Sequence, residues 1–132
     1  MERTLVLIKP DAVERNNIGN ILTFYEKKDL KITALKMLIA SEDIARLHYK
    51  SHEDKPFFQE LINYITRSPL CALILAGENA IEKVRKLNGN TDPAKAEKNT
   101  IRGNLGISKT ENSVHASDSI ETAEKEINIW FK

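Results

Sequence analysis

Two aliphatic runs constrain this chain more than any other feature: Thr4 to Ile8, which stops at Lys9-Pro10-Asp11, and Leu70 to Ala76, which stops at Gly77. The first is almost unbroken, as expected of a strand buried on both faces, and the second is the clearest strand in the sequence. Segments with apolar residues at helical spacing alternate with them. With 132 residues, the chain can bury one complete core without disulfides or metal, so residues 1–132 are expected to form a single domain. Lys and Arg number 20, Asp and Glu 19. This balance removes the field that non-specific binding to nucleic acid or to an anionic membrane would need, and turns the ligand question toward a small pocket. Cys71 has no disulfide partner, Met1-Glu2-Arg3-Thr4 lacks the apolar core of a signal peptide, and no apolar run approaches a membrane span. A soluble cytoplasmic protein is the expectation.

Ile18, Ile21, Leu22 and Tyr25 predict a helix from about Ile18 to Lys28. Lys31 to Ala40 reads as a second strand of mixed period, through Ile32, Leu35, Leu38 and Ile39. Ser41 before Glu42-Asp43 opens a helix that runs through Ile44, Ala45, Leu47 and His48. Pro56 suits the first turn of the next, whose apolar stripe is Phe57, Phe58, Leu61, Ile62 and Ile65. Glu78 to Asn88 is amphipathic through Ala80, Ile81, Val84 and Leu87, and Gly89 closes it. From Gly89 to Asn112 the apolar pattern disappears. Loops longer than ~15 residues are usually functional or disordered. Ser113 to Ser117 reads as a short edge strand, with Val114 and Ala116 pointing one way and Ser113, His115 and Ser117 the other, toward solvent. Asp118 with Glu121 resembles a capping box for a last helix carrying Ile120, Ala123, Ile127 and Trp130. The order β-α-β-α-α-β-α-β-α predicts an α+β ferredoxin-like split βαβ sandwich: a four-stranded antiparallel sheet covered by helices, which we expect on one side.

His115 stands out because it follows a long polar loop and lies between two hydroxyls. A neutral imidazole nitrogen can serve as a nucleophile or base near neutral pH, although a surface histidine in a strand would read the same way locally. His48 and His52 share a helical spacing of four, but no acidic residue completes a zinc motif, and a solvated helix end is the simpler reading. Lys9, Arg85 and Arg102 sit at a strand end, in a last helical turn and in the long loop, places that can converge on a polyphosphate. An ordinary scatter of surface cations would look alike. Gly103 and Gly106 form no dinucleotide fingerprint, and no Walker-type lysine loop is present. Tyr49 and Phe57 could stack on a base, with core burial the better expectation for Phe57 from periodicity alone. Thr91 and Asn112, at the ends of the long loop, are neutral donors for phosphate or sugar oxygens.

Along essentially its whole length the sequence resembles nucleoside diphosphate kinases. The resemblance is carried by Glu2-Arg3-Thr4-Leu5 running into Lys9-Pro10-Asp11-Ala12-Val13, then Lys55-Pro56-Phe57-Phe58, Gly77-Glu78-Asn79-Ala80, Gly89-Asn90-Thr91-Asp92-Pro93, Thr100-Ile101-Arg102-Gly103 and Asn112-Ser113-Val114-His115-Ala116-Ser117-Asp118-Ser119. The last is similar to the signature Asn-x-x-His-[Gly/Ala]-Ser-Asp. It implies a ping-pong exchange in which a nucleoside triphosphate gives its γ-phosphate to Nδ1 of His115 and the phosphohistidine passes it to a second nucleoside diphosphate. By the same resemblance, Glu126 holds the ring with Ser117 close by. Lys9, Arg85, Thr91, Arg102 and Asn112 hold phosphates and the ribose 3′ hydroxyl, Phe57 stacks on the base, and Tyr49 supports Lys9. Mg2+ is implied as a bridge between phosphate oxygens, with no protein ligand expected in its first shell.

The departures from the family pattern lie in the long loop, with Lys98-Asn99 where Pro-Gly is usual and Asn104-Leu105 where Asp-Phe is usual. They bear on loop rigidity and assembly rather than on a catalytic position. The resemblance also implies a homo-oligomer, with a tetramer favoured over a hexamer because the chain ends at Trp130-Phe131-Lys132 like short bacterial members. No membrane partner and no specific nucleic acid are expected. The alternative from another class is a catalytically idle nucleotide- or RNA-binding module on the same fold. Sheet-face RNA binders carry aromatics on their central strands, and Thr4 to Ile8 and Leu70 to Ala76 have none.

Overall fold

The computed structural model describes residues 1–131. At its centre is β1 (Glu2–Ile8), fully buried from Thr4 through Ile8. It pairs antiparallel with β3 (Leu70–Gly77) on one side and with β4 (Val114–Ala116) on the other. β2 (Lys31–Leu38) pairs antiparallel with β3, giving the order β2-β3-β1-β4. The two aliphatic runs therefore take the two central positions, where neighbouring strands satisfy the backbone and both faces can be covered. A register shift between Ile32 and Ala34 accounts for the mixed period of β2.

Alternation along the central strands feeds two separate cores. Leu5, Leu7, Leu70, Ala72 and Ile74 pack against α3 (Glu42–His48), α4 (Phe58–Ile65) and α7 (Ile120–Trp130). Val6, Ile8, Cys71, Leu73 and Leu75 face α1 (Pro10–Glu14), α2 (Ile18–Glu26), α5 (Ala80–Asn88) and α6 (Ile101–Leu105). Helices thus cover both faces, which corrects the one-sided arrangement expected above. A strand apolar at every position presents two apolar faces, and each must be removed from water.

The long segment after Gly89 is structured. It contains a 3₁₀ turn, Pro93–Lys95, capped by Asp92, and then α6, capped by Thr100, whose hydroxyl accepts from Gly103 N at 3.1 Å. Single apolar anchors hold it, chiefly the fully buried Ile101, too few to give a periodic signal. Gly103 is required because a Cβ there would run into the Glu97 carbonyl. Two helix starts differ from expectation. Ser119, rather than Asp118, caps α7 by accepting from Thr122 N at 3.1 Å, and Pro56 precedes α4 instead of lying in its first turn. Ser41 caps α3 as expected, accepting from Ile44 N at 3.1 Å.

Gly89 closes α5 with φ 85°, and a Cβ there would lie 2.7 Å from Thr100 Cβ. Gly89→Ala should therefore destabilise the protein by about 2 kcal/mol or more in urea unfolding, since strain and steric conflict add. An unchanged midpoint would contradict this assignment.

Candidate active site

The register of β4 sets His115 opposite Leu7 and so on the face covered by α3, α4 and α7. The side that alternation assigned to solvent is therefore an interior one. Ser113 and Ser117 are fully buried, and the His115 side chain is only 25% exposed. Across from it, α7 presents the buried Glu126. The two carboxylate oxygens lie 3.1 and 3.0 Å from His115 Nε2, and Ser117 Oγ donates to Oε1 at 2.6 Å. Ser117 Oγ in turn accepts from Leu5 N at 3.4 Å. A carboxylate only accepts, so the network assigns the proton to Nε2 and leaves a lone pair on Nδ1. Removing the serine hydroxyl should release one end of Glu126. Ser117→Ala is expected to lower stability by about 1 kcal/mol and turnover about tenfold, measured by thermal unfolding and steady-state kinetics.

The three cations singled out from the sequence do neighbour one another. Lys9 is buried, and its Nζ donates to Asn112 Oδ1 at 3.0 Å. The Asn112 amide nitrogen donates to the carbonyls of Thr91 and Lys109, each at 3.0 Å, tying both ends of the long segment together. Arg102 donates to the Gly89 carbonyl at 2.9 Å and to the Val114 carbonyl at 2.8 Å, while its buried Nε has no partner among the described residues. Burial, then repulsion from Arg102, lowers the Lys9 ammonium to about 8. Burial chiefly, with repulsion from Arg85 against attraction from Tyr25, lowers the Arg102 guanidinium to about 10. Arg85, Asn88, Gly89, Asn90, Thr91, Arg102 and Ala116 line an open polar pocket of about 270 Å³ beside β4. Two neighbouring guanidiniums, those of Arg85 and Arg102, make this pocket suited to an anion.

The turn into β4 is strained. Ser113 has φ 74°, and Val114 N donates to the Asn112 carbonyl at 2.9 Å, which makes a γ-turn with positive φ immediately before His115. Lys9 N donates to the Ser113 carbonyl at 2.8 Å, and the Ser113 hydroxyl lies 3.4 Å from both Asp11 Oδ2 and the Arg15 guanidinium. Tyr64 donates its hydroxyl to the buried Asp11 carboxylate, and its ring lies under Lys9 Nζ at 5.9 Å. Asp11, Arg15 and Tyr64 carry no sequence signal for this role, because α1, α4 and the β4 turn meet only in three dimensions.

One aromatic expectation changes. Phe57 is 43% exposed while Phe58 is buried, so the core reading of Phe57 fails. Phe57 lies beside His52, with ring centroids 5.7 Å apart, and is not among the residues lining the anion pocket. Tyr49 is buried against the His48 ring at 4.8 Å, and Lys9 Nζ bonds Asn112 and lies over the Tyr64 ring. His48 is no solvated helix end. Its side chain is 1% exposed, its ring stands edge-on to His115 at 4.5 Å, and its Nδ1 accepts from Trp130 Nε1 at 3.1 Å. Helical spacing could not reveal this, because the packing partners come from β4 and α7. His48, His115 and Glu126 offer ligand atoms within 4.8 Å of one another, and those atoms take part in hydrogen bonds with Trp130, between His115 and Glu126, and with Ser117.

Relatives share this arrangement of sequence and fold. A family model described as nucleoside diphosphate kinase matches residues 2–132. A nucleoside diphosphate kinase of Clostridium perfringens (strain SM101 / Type A) is 63% identical over 131 residues, which cover 99% of this chain and 92% of that one. One from Methanosphaera stadtmanae is 52% identical, covering 98% of this chain and 86% of the relative. Among solved structures, the Aquifex aeolicus nucleoside diphosphate kinase superposes with a TM-score of 0.95 at 41% identity, over 99% of this chain and 95% of that one. A nucleoside diphosphate kinase family protein from Babesia bovis gives 0.96 at 43% identity, over 100% and 89%. With its antiparallel ferredoxin-like sheet and a family match across nearly every residue, the chain belongs to the nucleoside diphosphate kinase family.

Proposed function

We propose that this chain is a working nucleoside diphosphate kinase whose phosphate carrier is His115. The observation that carries the reading is the bond from His115 Nε2 to Glu126, which leaves Nδ1 as the nucleophile on β4, the strand whose next residue, Ala116, lines the cationic pocket. Nδ1 attacks the γ-phosphorus of a nucleoside triphosphate such as ATP. A new N–P bond forms as the bond to the β-γ bridging oxygen breaks, and the nucleoside diphosphate leaves with that electron pair. In the second half, a terminal phosphate oxygen of another nucleoside diphosphate attacks the phosphohistidine, and the imidazole nitrogen regains its lone pair. This cycle would make GTP, CTP, UTP and the deoxynucleotides from ATP. Glu126 stabilises the ring as it gains positive charge, and Ser117 steadies the carboxylate.

Lys9, Arg85 and Arg102 neutralise phosphate oxygens, with Thr91 and Asn112 as neutral donors. Phe57, exposed at the start of α4, would stack on a base by its face without reading the base edges. Mg2+ supplies charge neutralisation and geometry on the phosphates when bound. The pocket offers guanidinium, amide and hydroxyl groups and no carboxylate, a set that fits an ion delivered on phosphate oxygens and water. A cytoplasmic homo-oligomer, tetramer before hexamer, belongs to the same reading. Exposed Leu35, Met37 and Ile39 on and just after the edge strand β2 favour contact between copies. Sedimentation would give the number of chains.

Incubation with γ-labelled ATP should yield an acid-labile, alkali-stable label on the protein, and GDP or dTDP should then remove it as labelled triphosphate. Wild-type protein that takes no label would overturn the reading. The idle RNA-binding alternative lacks support, since neither central strand carries an aromatic.

A further inference from the structure

We propose that Trp130 and His48 form a positioning pair that reserves Glu126 for His115. The inference rests on the phosphohistidine reading above, because it assigns His48 a role in orienting the nucleophile. The Trp130 indole can only donate, so the 3.1 Å contact from its Nε1 requires His48 Nδ1 to be the bare nitrogen, with the proton on Nε2. That same Nδ1 lies 3.9 Å from Glu126 Oε2, the oxygen that is 3.0 Å from His115 Nε2. A proton on Nδ1 would lose the Trp130 bond and create a cation competing with His115 for one carboxylate oxygen. With Trp130 in place, His48 stays an uncharged wall, edge-on to His115 at an interplanar angle of 79°.

The groups facing His48 agree with this. His115 on β4, Glu126 on α7, Lys9 at the end of β1, and Tyr49 and His52 just after α3 surround it. Burial first, then repulsion from His115, Lys9 and His52, holds its imidazole well below the ordinary histidine range. Glu126 is the facing acid that would favour a charge, and Trp130 occupies the nitrogen nearest to it. Trp130 is itself 1% exposed, locked by the core on the same face. A register set by hydrophobic packing thereby fixes a protonation state at the site.

The test compares pH profiles of nucleotide exchange for the wild type, Trp130→Phe, and Trp130→Phe combined with His48→Asn. Phenylalanine keeps an aromatic in the core but removes the donor, so His48 can be protonated at Nδ1. In Trp130→Phe, kcat should fall about tenfold below wild type on going from pH 8 to pH 6, with KM for nucleotide nearly constant. The added His48→Asn substitution, which cannot titrate, should abolish that extra acid limb. A purely structural role for Trp130 would lower activity equally at every pH, and that result would overturn the proposal. So would an acid limb that survives His48→Asn. A second measurement, nitrogen-15 histidine NMR of the wild type, needs no turnover and covers the case of a variant that fails to fold. It should find His48 protonated on Nε2 alone from pH 8 to pH 6, whereas a titrating His48 or a proton on Nδ1 would overturn the pair. If the wild type took no phosphate label, the kinase reading would fail, and the NMR result would still decide the state of His48.

Discussion

His115→Gln should take no acid-labile label from γ-labelled ATP, and nucleotide exchange should fall by about ten-thousand-fold or more. Glutamine offers an amide N–H toward Glu126, where the wild-type ring is 3.0 Å away, so the carboxylate is not left bare. It has no nitrogen lone pair able to form the N–P bond. Thermal unfolding should stay within about 1 kcal/mol of wild type, because the ring is a quarter exposed and adds little to either core. Loss of label with an intact fold separates loss of the nucleophile from loss of structure. Label retained on this variant would remove His115 from the mechanism.

Lys9→Met should separate stability from function. Lys9 is 7% exposed and its ammonium is lowered from 10.5 to about 8, by burial first and then by Arg102. The sign follows from linkage. The folded state binds the proton less tightly than the unfolded chain, so below pH 8 folding carries the full cost of a charge that burial disfavours. That cost declines between pH 8 and 10.5 as the unfolded chain also loses the proton. Methionine has similar length and no charge. At pH 7 the variant should be more stable by about 1–3 kcal/mol, after allowing for the lost bond to Asn112, and the gain should shrink above pH 8. Exchange should fall about a hundredfold or more, because no other cation replaces Lys9 at the end of β1. For the wild type, kcat/KM should decline above about pH 8 as the free enzyme loses this proton. A variant less stable at pH 7, or one of undiminished activity, would contradict the assignment.

Much of the fold was legible because hydrophobic period is a local property. Thr4 to Ile8 and Leu70 to Ala76 had to be central strands, and the structure gives both two neighbours and two covered faces. Ser41 and Gly89 marked helix ends by chemistry that acts within a few residues. The reading weakened where tertiary contacts replaced period. α6 is held by the fully buried Ile101 and a glycine in close contact with the Glu97 carbonyl, signals too sparse to be read in advance.

By itself the sequence determined the two central strands, the balanced charge, the family, and a set of cations that could meet a polyphosphate. Only the tertiary structure decided which of those groups meet, and in what state. His115 proved to face an interior layer, with Glu126, itself held by Ser117, on Nε2, which leaves the Nδ1 lone pair. His48, unremarkable in the chain, became a buried neutral ring because β4 and α7 bring His115 and Trp130 to it from residues more than sixty positions away. Period and local hydrogen bonds are written over a few neighbouring residues. Burial, protonation state and nucleophile orientation depend on long-range register, which the packing of both cores sets.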